Sequence, residues 1–385
     1  MVEILERIVS RGESHLYRLS GSHETTLCRY IATTPEGRQL CNRPELLGMD
    51  FSLSLTQAVT KTLSLLPERD ALLASAEERV SVVHFLRGGL NFGLREALHG
   101  AYGMNRHGSS FMSSQRRRVD GRWQVEEDRY RKLRVPTDAI LVMGDVVATG
   151  LTTSHGLEVL LEHTLAIGSS IKRLLFVTIG CHKVEKVLQH FDTQFRAAFP
   201  DYEGASLVYL EGKFRLVNSQ TPLSIAIPGT DLVRREAVLA PEMALANVEE
   251  LASALERCAI YDAGSRAFDV PTYVEDVRGY WQRVHAMAGQ GLTLKMLLEE
   301  RWPDLCFDEK EAFERFTAAH WLNVDGAFVQ SVWERVDDRR RVLESVCGNA
   351  TALRRLASRR LDEIPSGESL GLPREDEPVY GAVAS

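Results

Sequence analysis

The chain has 385 residues, of which 44% are hydrophobic and 26% are charged, and its formal net charge is −7. This composition is typical of a soluble globular protein with room for more than one domain, and the acidic balance argues against a general nucleic-acid binder, because neutralising phosphates needs a basic surface. No apolar run reaches the length of a membrane span, and the six cysteines form no C-x-x-C pair. We therefore expect a cytoplasmic protein with reduced thiols and with neither a membrane nor a nucleic-acid partner.

The first 75 residues contain a strand candidate, TTLCRYIAT, and an amphipathic stretch, SLTQAVTKTLSLL. We expect residues 1–75 to form part of a hood or cover. The run VSVVHFL (80–86) predicts a strand that ends at an Arg-Gly-Gly turn, and NFGLREALHGAYG has helical spacing. Residues 107–136 are polar and arginine-rich, and they predict a long excursion shaped as a β-ribbon around the turn VDGRW.

Strands and helices alternate in the next part of the chain. AILVMGD, IKRLLFVTIG, ASLVYLEG and PLSIAIPG are strand candidates, and SHGLEVLLEHTLAIG and KVEKVLQHFDTQFRAAF have helical spacing. Apolar strands that alternate with helices predict an α/β fold with a mainly parallel twisted sheet flanked by helices. We assign this core to residues 76–240, an all-helical region to 241–362, and a disordered tail to 363–385.

The stretch ILVMGDVVATGLTT (140–153) has the clearest chemical pattern. An apolar strand ends near one acid, Asp145, and a turn of small and hydroxylated residues leads into a helix. In open α/β sheets, ligands bind beyond the carboxyl ends of the strands, and the N–H groups at a helix N-terminus attract phosphate. Asp145 would repel phosphate but suits sugar hydroxyls or Mg²⁺. The residues therefore indicate a sugar-phosphate site.

VMGDVVATGLTT resembles the phosphoribosyl-pyrophosphate (PRPP) motif of type I phosphoribosyltransferases, in which two acids precede a small-Thr-Gly-x-Thr/Ser turn. Gly144 stands where the first of these acids usually lies. The resemblance covers roughly residues 78–235 and implies a PRPP site with Mg²⁺ at Asp145, held directly or through water. The residues that the resemblance places on PRPP in this stretch are Asp145, Val146, Ala148, Thr149, Gly150, Leu151, Thr152 and Thr153.

Three other stretches match the family in position. HFLRGGLNFG (84–93) is similar to the pyrophosphate-binding loop, and SSFMSSQRRR (109–118) lies where the family has its flexible catalytic loop. IAIPGTDLV (225–233) is similar to the acceptor-facing hood of uracil-type members. The resemblance adds Arg87, Gly88, Gly89, Ser109 and Ser110 to PRPP binding, gives Asp145, Arg87, Arg116 and Arg117 catalytic roles, and puts Ile227, Pro228, Gly229 and Asp231 at the acceptor.

The resemblance implies an enzyme that moves the 5-phosphoribosyl group of PRPP to a nucleophile and releases pyrophosphate. Asp145 and Asp231 are both candidates for the general base. The acceptor stays open between a nucleobase-like compound and an amine or hydroxyl of a specialised metabolite. The helical third adds a dimerisation or docking module, and we expect a homodimer.

The same residues have simpler explanations. Asp145 could be a helix N-cap, the Gly-Gly turn a tight connection, and each arginine of 115–122 part of a solvated loop. A different function is a non-catalytic PRPP sensor on the same fold, which would carry a DNA-binding element. Gly144, as a mark of lost catalysis, and the basic segments DDRRRV and LRRLASRRL near the end favour this alternative. The catalytic loop and the Arg-Gly-Gly turn, which a pure sensor could discard, argue against it.

Overall fold

The computed structural model describes residues 3–21, 24–86, 88–119, 122–217, 231–249, 263–301, 309–346 and 348–365, together with Thr221, Ser224, Ile225, Ala252 and Leu255. For residues 88, 114–119, 122–129 and 342–346 it describes the backbone alone. Among the described residues, no helix is both long and apolar enough to cross a membrane.

Eleven described strands form a single mixed sheet. The strands are β1 (Ile4–Arg11), β2 (Ser14–Ser20), β3 (Cys28–Thr33), β4 (Val80–Leu86), β5 (Gly108–Val119), β6 (Arg122–Lys132), β7 (Ala139–Val147), β8 (Ile171–Cys181), β9 (Gly204–Leu216), β10 (Leu232–Leu239) and β11 (Trp321–Leu322). Their order is β11-β1-β2-β3-β9-β8-β7-β4-β5-β6, and β10 pairs with β9.

Helices flank this sheet and continue beyond it. They are α1 (Pro35–Asn42), α2 (Gly48–Leu65), α3 (Arg69–Ala74), α4 (Leu94–Tyr102), α5 (Leu151–Ala166), α6 (Lys183–Ala198), α7 (Pro241–Glu249), α8 (Ala263–Phe268), α9 (Val270–Gly289), α10 (Leu294–Arg301), α11 (Lys310–His320), α12 (Gly326–Val346) and α13 (Ala350–Glu363). Two short 3₁₀ helices, Glu77–Arg79 and Gly88–Phe92, lie on either side of β4.

The centre of the sheet is parallel. β3, β9, β8, β7, β4 and β5 all run in one direction, so their carboxyl ends share one edge. The apolar runs of β4, β7 and β8 are almost wholly buried, as expected for strands that are covered on both faces. The predicted α/β fold with a mainly parallel sheet is therefore confirmed, and so is the β-ribbon, which β5 and β6 form as an antiparallel pair.

The N-terminal segment extends the sheet. β1 and β2 form an antiparallel hairpin, β2 pairs with β3, and β3 joins the parallel core beside β9. Cys28 of β3 lies opposite Ser206 of β9, about 180 residues away in sequence. No local pattern in the sequence indicates this pairing, because the partner of β3 is so distant. A role of residues 1–75 in a hood or cover stays a prediction.

The C-terminal third is helical, as predicted, with one exception. β11 contributes two residues that pair with β1 in parallel. α9, α10 and α13 pack around a second cluster of buried side chains centred on Tyr280 and Trp281, which is separate from the core of the sheet. α8 lies against the α1–α2 connection through the buried Arg266, which donates to the carbonyl oxygens of Leu40, Arg43 and Leu46.

Two predictions fall largely outside the described residues. The strand candidate PLSIAIPG includes 222–223 and 226–229, which lie outside them, and the strand that the structure shows in this part of the chain is β10, further on. Residues 366–385, most of the expected tail, are likewise outside the described residues.

Candidate functional site

Two loops meet at the carboxyl edge of the sheet. β4 and β7 are parallel neighbours, with Val83 opposite Met143, so the loops that follow them leave the sheet side by side. Gly89 lies so close to β7 that a Cβ built on it would be 3.0 Å from the carbonyl oxygen of Gly144. Only glycine allows this backbone approach without displacing a neighbour. Arg87, which precedes this glycine pair, lies outside the described residues.

Gly144 does not face the site. A Cβ built there would be 2.8 Å from Cγ of Phe92, whose ring is completely buried in the turn Gly88–Phe92. The position of the family's first acid is therefore occupied by packing between β7 and the loop after β4. The sequence alone does not tell whether Gly144 reflects the loss of an acid or a packing requirement for glycine.

Asp145 lies half-buried near the end of β7. Its backbone carbonyl accepts a hydrogen bond from the Thr178 hydroxyl at 2.7 Å, which ties the strand end to β8. Its Oδ1 accepts the Val146 N–H at 2.9 Å. The N-cap of α5 is Gly150, not Asp145, so the simpler explanation of this acid as a helix cap does not hold.

The turn into α5 presents unbonded amides to the same edge. Gly150 has a left-handed backbone with φ +78° and, as a glycine, has no side chain with which to cap the helix. Since the Ser154 amide already bonds to the Gly150 carbonyl, the orphan N–H groups of the first turn belong to the residues between them. The hydroxyl of Thr149 is buried and has no hydrogen-bond partner in the described structure. A helix N-terminus with these features suits an anion.

The remaining predicted residues of this turn have different surroundings. Val146, Ala148, Leu151 and Thr152 are half-buried, whereas Thr153 is buried inside the first turn of α5. The Ala148 carbonyl accepts a hydrogen bond from the thiol of Cys181 at 3.1 Å, which fixes the loop against the end of β8.

The predicted serines lie deeper in the sheet than expected. Ser110 is completely buried, and its hydroxyl accepts the Arg134 N–H at 2.8 Å, so it forms part of the packing between β4 and β5. Ser109 lies opposite Val82, also within the sheet. Ser113 lies opposite Leu86, the last residue of β4, and is half-buried at the carboxyl edge. Of the two serine pairs in SSFMSS, the predicted pair Ser109 and Ser110 lies inside the sheet, and the second pair begins at its edge.

The β-ribbon extends past this edge. β4 ends opposite Ser113, while β5 continues for six more residues to Val119. At about 3.3 Å per residue, this part of the ribbon is roughly 20 Å long. Arg116 and Arg117 belong to it, opposite Val125 and Gln124 of β6. Their backbones are thus placed beyond the sheet on the β4 side of Asp145.

His84 supports this region as a neutral ring. It stacks on Phe111 of the adjacent strand, with the ring centroids 4.9 Å apart, and it is almost completely buried. Burial, followed by the positive charge of Arg95, lowers the pKa of His84 to about 4. His84 thus lies within the strand among packed side chains.

Of the residues predicted to face the acceptor, the structure describes Asp231 alone. Ile227, Pro228 and Gly229 lie outside the described residues. Asp231 precedes β10, is 1% exposed, and accepts the Val217 N–H through its backbone carbonyl at 3.0 Å. Of the two candidate bases, Asp145 is the one with partial exposure at the carboxyl edge.

In the described structure, no three His, Cys, Asp or Glu side chains are grouped closely enough to hold a metal ion by themselves. Asp145 supplies a single carboxylate at this edge. Phosphate groups of a ligand would bind beside it, to the amides of α5 and of the Gly-Gly turn. One carboxylate together with substrate phosphates and water is a normal ligand set for Mg²⁺. The site therefore fits a magnesium ion that arrives with a phosphorylated ligand.

No family model and no curated protein matches the chain. Solved structures with partial similarity include the AQ2163 protein of Aquifex aeolicus, at 17% identity over 48% of this chain and 89% of that one, with a TM-score of 0.33. A hypoxanthine-guanine phosphoribosyltransferase of Bacillus anthracis shares 24% identity over 33% of this chain and 66% of that one, with a TM-score of 0.22. An adenine phosphoribosyltransferase of Trypanosoma brucei shares 12% identity over 49% of this chain and 87% of that one, with a TM-score of 0.31. Similarities of this size do not establish a family.

Proposed function

We propose that this protein is a PRPP-dependent phosphoribosyltransferase, which moves the 5-phosphoribosyl group to a nucleophilic acceptor and releases pyrophosphate. The observation that carries the proposal is the meeting of two phosphate-type loops on neighbouring strands. A Cβ built on Gly89 of one loop would lie only 3.0 Å from the carbonyl oxygen of Gly144, and Asp145 follows Gly144 directly. PRPP matches this arrangement, because its ribose carries a phosphate at one end, a pyrophosphate at the other, and two free hydroxyls.

Each part of the edge has a role in the proposed reaction. The Asp145 carboxylate accepts hydrogen bonds from the ribose hydroxyls and orients the sugar. The orphan amides of α5 bind the phosphate on ribose C5. The Gly88-Gly89 backbone, with Arg87 and with Arg116 and Arg117 of the ribbon, binds the pyrophosphate and stabilises the charge that develops on it. A magnesium ion bound with PRPP would supply further neutralising charge.

The reaction breaks the bond between the anomeric carbon and a pyrophosphate oxygen, and the electron pair leaves with pyrophosphate. The acceptor nucleophile forms the new bond to that carbon and loses its proton to a base, for which Asp145 is the candidate at the edge. The protein forms no covalent bond itself, so its contribution is to position the reactants and to keep water out. The ribbon extends past the sheet on the side where pyrophosphate is proposed to bind, and its closure over pyrophosphate would exclude water.

Calorimetric titration of PRPP with Mg²⁺ tests the proposal. The wild-type protein should bind PRPP, and Asp145→Asn should bind it at least tenfold more weakly, because the charge that accepts two sugar hydroxyls is gone. Asp201→Asn is the matched control, because Asp201 is an exposed carboxylate in the turn before β9, at the opposite edge of the sheet. The control should bind as the wild type does.

The outcomes separate the proposal from its alternatives. No PRPP binding by the folded wild-type protein would refute the site. PRPP binding without pyrophosphate release against a panel of bases, amines and alcohols would favour a PRPP sensor. Binding followed by pyrophosphate release with one acceptor class would establish the enzyme and identify the acceptor at the same time.

A further inference from the structure

The N-terminus of α6 lies beside the loop that leads into α5. A Cβ built on Gly150 would lie 3.1 Å from Cγ2 of Val187 and 3.9 Å from Cβ of Lys183. Lys183 is the first residue of α6 and is half-buried. Because a lysine ammonium sits on a flexible four-carbon stem, it can reach a ligand that lies over the α5 amides.

Lys183 belongs to a group of four cations around His182, together with Lys186, Lys213 and Arg215. Burial and these four charges all lower the pKa of His182. Two of the four are already neutralised, since Lys213 is paired with Glu185 at 3.4 Å and Arg215 with Glu236 at 3.3 Å. Among the described residues, the side-chain ammonium of Lys183 has neither a hydrogen-bond partner nor an ion-pair partner. It is therefore a cation next to the loop with its charge available to a ligand.

The order of the strands decides which anion this charge meets. β7, with Asp145, lies between β8 on one side and β4 on the other. The Gly88-Gly89 turn and the ribbon arginines are on the β4 side, where pyrophosphate is proposed to bind. Lys183 follows β8, on the far side of Asp145. A ribose held by Asp145 with its pyrophosphate toward β4 has its C5 phosphate toward β8.

We propose that Lys183 is a further substrate-binding residue, which forms an ion pair with the phosphate on ribose C5. This inference rests on the proposed function, because it assumes that the ligand is PRPP. It assigns the two ends of the substrate to two different sets of cations. Lys183 binds the phosphate that stays with the sugar, and the arginines bind the group that leaves.

The test uses three ligands that share different parts of PRPP: ribose 5-phosphate, inorganic pyrophosphate and PRPP itself, each titrated with Mg²⁺. Lys183→Ala should weaken the binding of ribose 5-phosphate and of PRPP by at least tenfold, as expected for the loss of one charge-assisted contact. The affinity for pyrophosphate should stay unchanged. Lys183→Arg should keep most of the affinity. Lys186→Ala, a substitution of an exposed lysine one turn along α6, should change each affinity less than twofold.

The results distinguish this inference from the proposed function. If the wild-type protein binds PRPP but Lys183→Ala binds ribose 5-phosphate normally, Lys183 is not a phosphate ligand and the proposed function stands. An equal loss of affinity for pyrophosphate would also overturn the assignment, because the lysine would then attract any anion at the site and not the C5 phosphate in particular. If the wild-type protein binds none of the three ligands, the proposed function itself fails. An unchanged melting temperature for each variant excludes unfolding as the cause of any loss.

Discussion

The ring of Phe92 occupies the space that a side chain on Gly144 would need. A Cβ on Gly144 would lie 2.8 Å from Cγ and 3.0 Å from Cβ of Phe92. These two atoms are close to the Phe92 backbone, so they can move only if the turn Gly88–Phe92 moves as well. The glycine therefore holds the loop after β4 against β7, and an acid at this position would separate the two loops of the site.

Gly144→Ala should destabilise the fold by about 1–3 kcal/mol, the usual effect of forcing a methyl group into a packed core. Phe92→Ala should cost about 3–5 kcal/mol because it leaves a cavity. In urea unfolding, the double variant should be less destabilised than the sum of the two, because the cavity receives the new methyl group. Simple additivity would show that the two residues do not compete for space. Gly144→Asp should weaken PRPP binding through displacement of the loop.

Gly150→Ala should separate the phosphate site from general stability when it is compared with Gly168→Ala. Both glycines have left-handed backbones, at φ +78° and +67°, and nothing lies within 4 Å of a Cβ on Gly168. Each substitution should lower the free energy of unfolding by about 1–2 kcal/mol, because alanine disfavours this backbone. Only Gly150→Ala should weaken the binding of ribose 5-phosphate, since only Gly150 positions the α5 amides. Equal losses of affinity in the two variants would argue against the site.

Arg266→Ala should be among the most destabilising single substitutions. The guanidinium is completely buried, donates to the carbonyl oxygens of Leu40, Arg43 and Leu46, and lies 4.5 Å from the centre of the Phe51 ring. Its loss leaves buried carbonyl groups without donors, which costs about 3–5 kcal/mol. Arg69→Ala, which removes an exposed arginine paired with Asp70, is the control and should change stability by less than about 1 kcal/mol. Urea unfolding measures both, and similar values for the two would contradict this account.

Glu211 should make the stability of the fold depend on pH. Burial raises the pKa of its carboxyl to about 8, although the Arg38 charge and the hydrogen bonds from Thr33 and Thr34 act in the opposite direction. The folded protein thus keeps this proton to a higher pH than the unfolded chain, whose glutamate pKa is about 4.3. The resulting stabilisation is complete below that lower pKa and is lost as the pH rises toward 8.

The measurement compares Glu211→Gln with the wild-type protein in urea between pH 5 and pH 9. As the pH rises to 8, the wild-type free energy of unfolding should fall relative to that of the variant, and above 8 the difference should become constant. Glu13→Gln, a change at an exposed glutamate of the β1–β2 turn, should follow the wild-type curve. A constant difference between wild type and Glu211→Gln across the whole range would show that Glu211 does not titrate there.

Much of the central sheet was predictable because its elements are local. β7 with α5 and β8 with α6 each combine a buried apolar run with an adjacent helical pattern, and a short segment contains both signals. The role of Gly144 was not predictable, because it depends on Phe92 of a different strand and turn. The burial of Ser110 was not predictable for a similar reason: the alignment of β5 with β4 decides which of the two serine pairs reaches the edge, and composition carries no information about alignment. Lys183 could have been selected by asking which cation follows the strand next to β7.

The pairing of β3 with β9 also has a consequence for how the chain folds. The hairpin β1–β2 and strand β3 leave the ribosome before β9, and β9, which borders β3, is synthesised about 180 residues later. β4, β7 and β8 have partners much nearer in sequence, so the half of the sheet that carries Asp145 can assemble while the N-terminal strands still lack a neighbour. Until β9 arrives, β3 presents an open edge, which is the surface on which intermolecular strand pairing begins. The open edge of β3 is thus a surface that a chaperone would protect during synthesis.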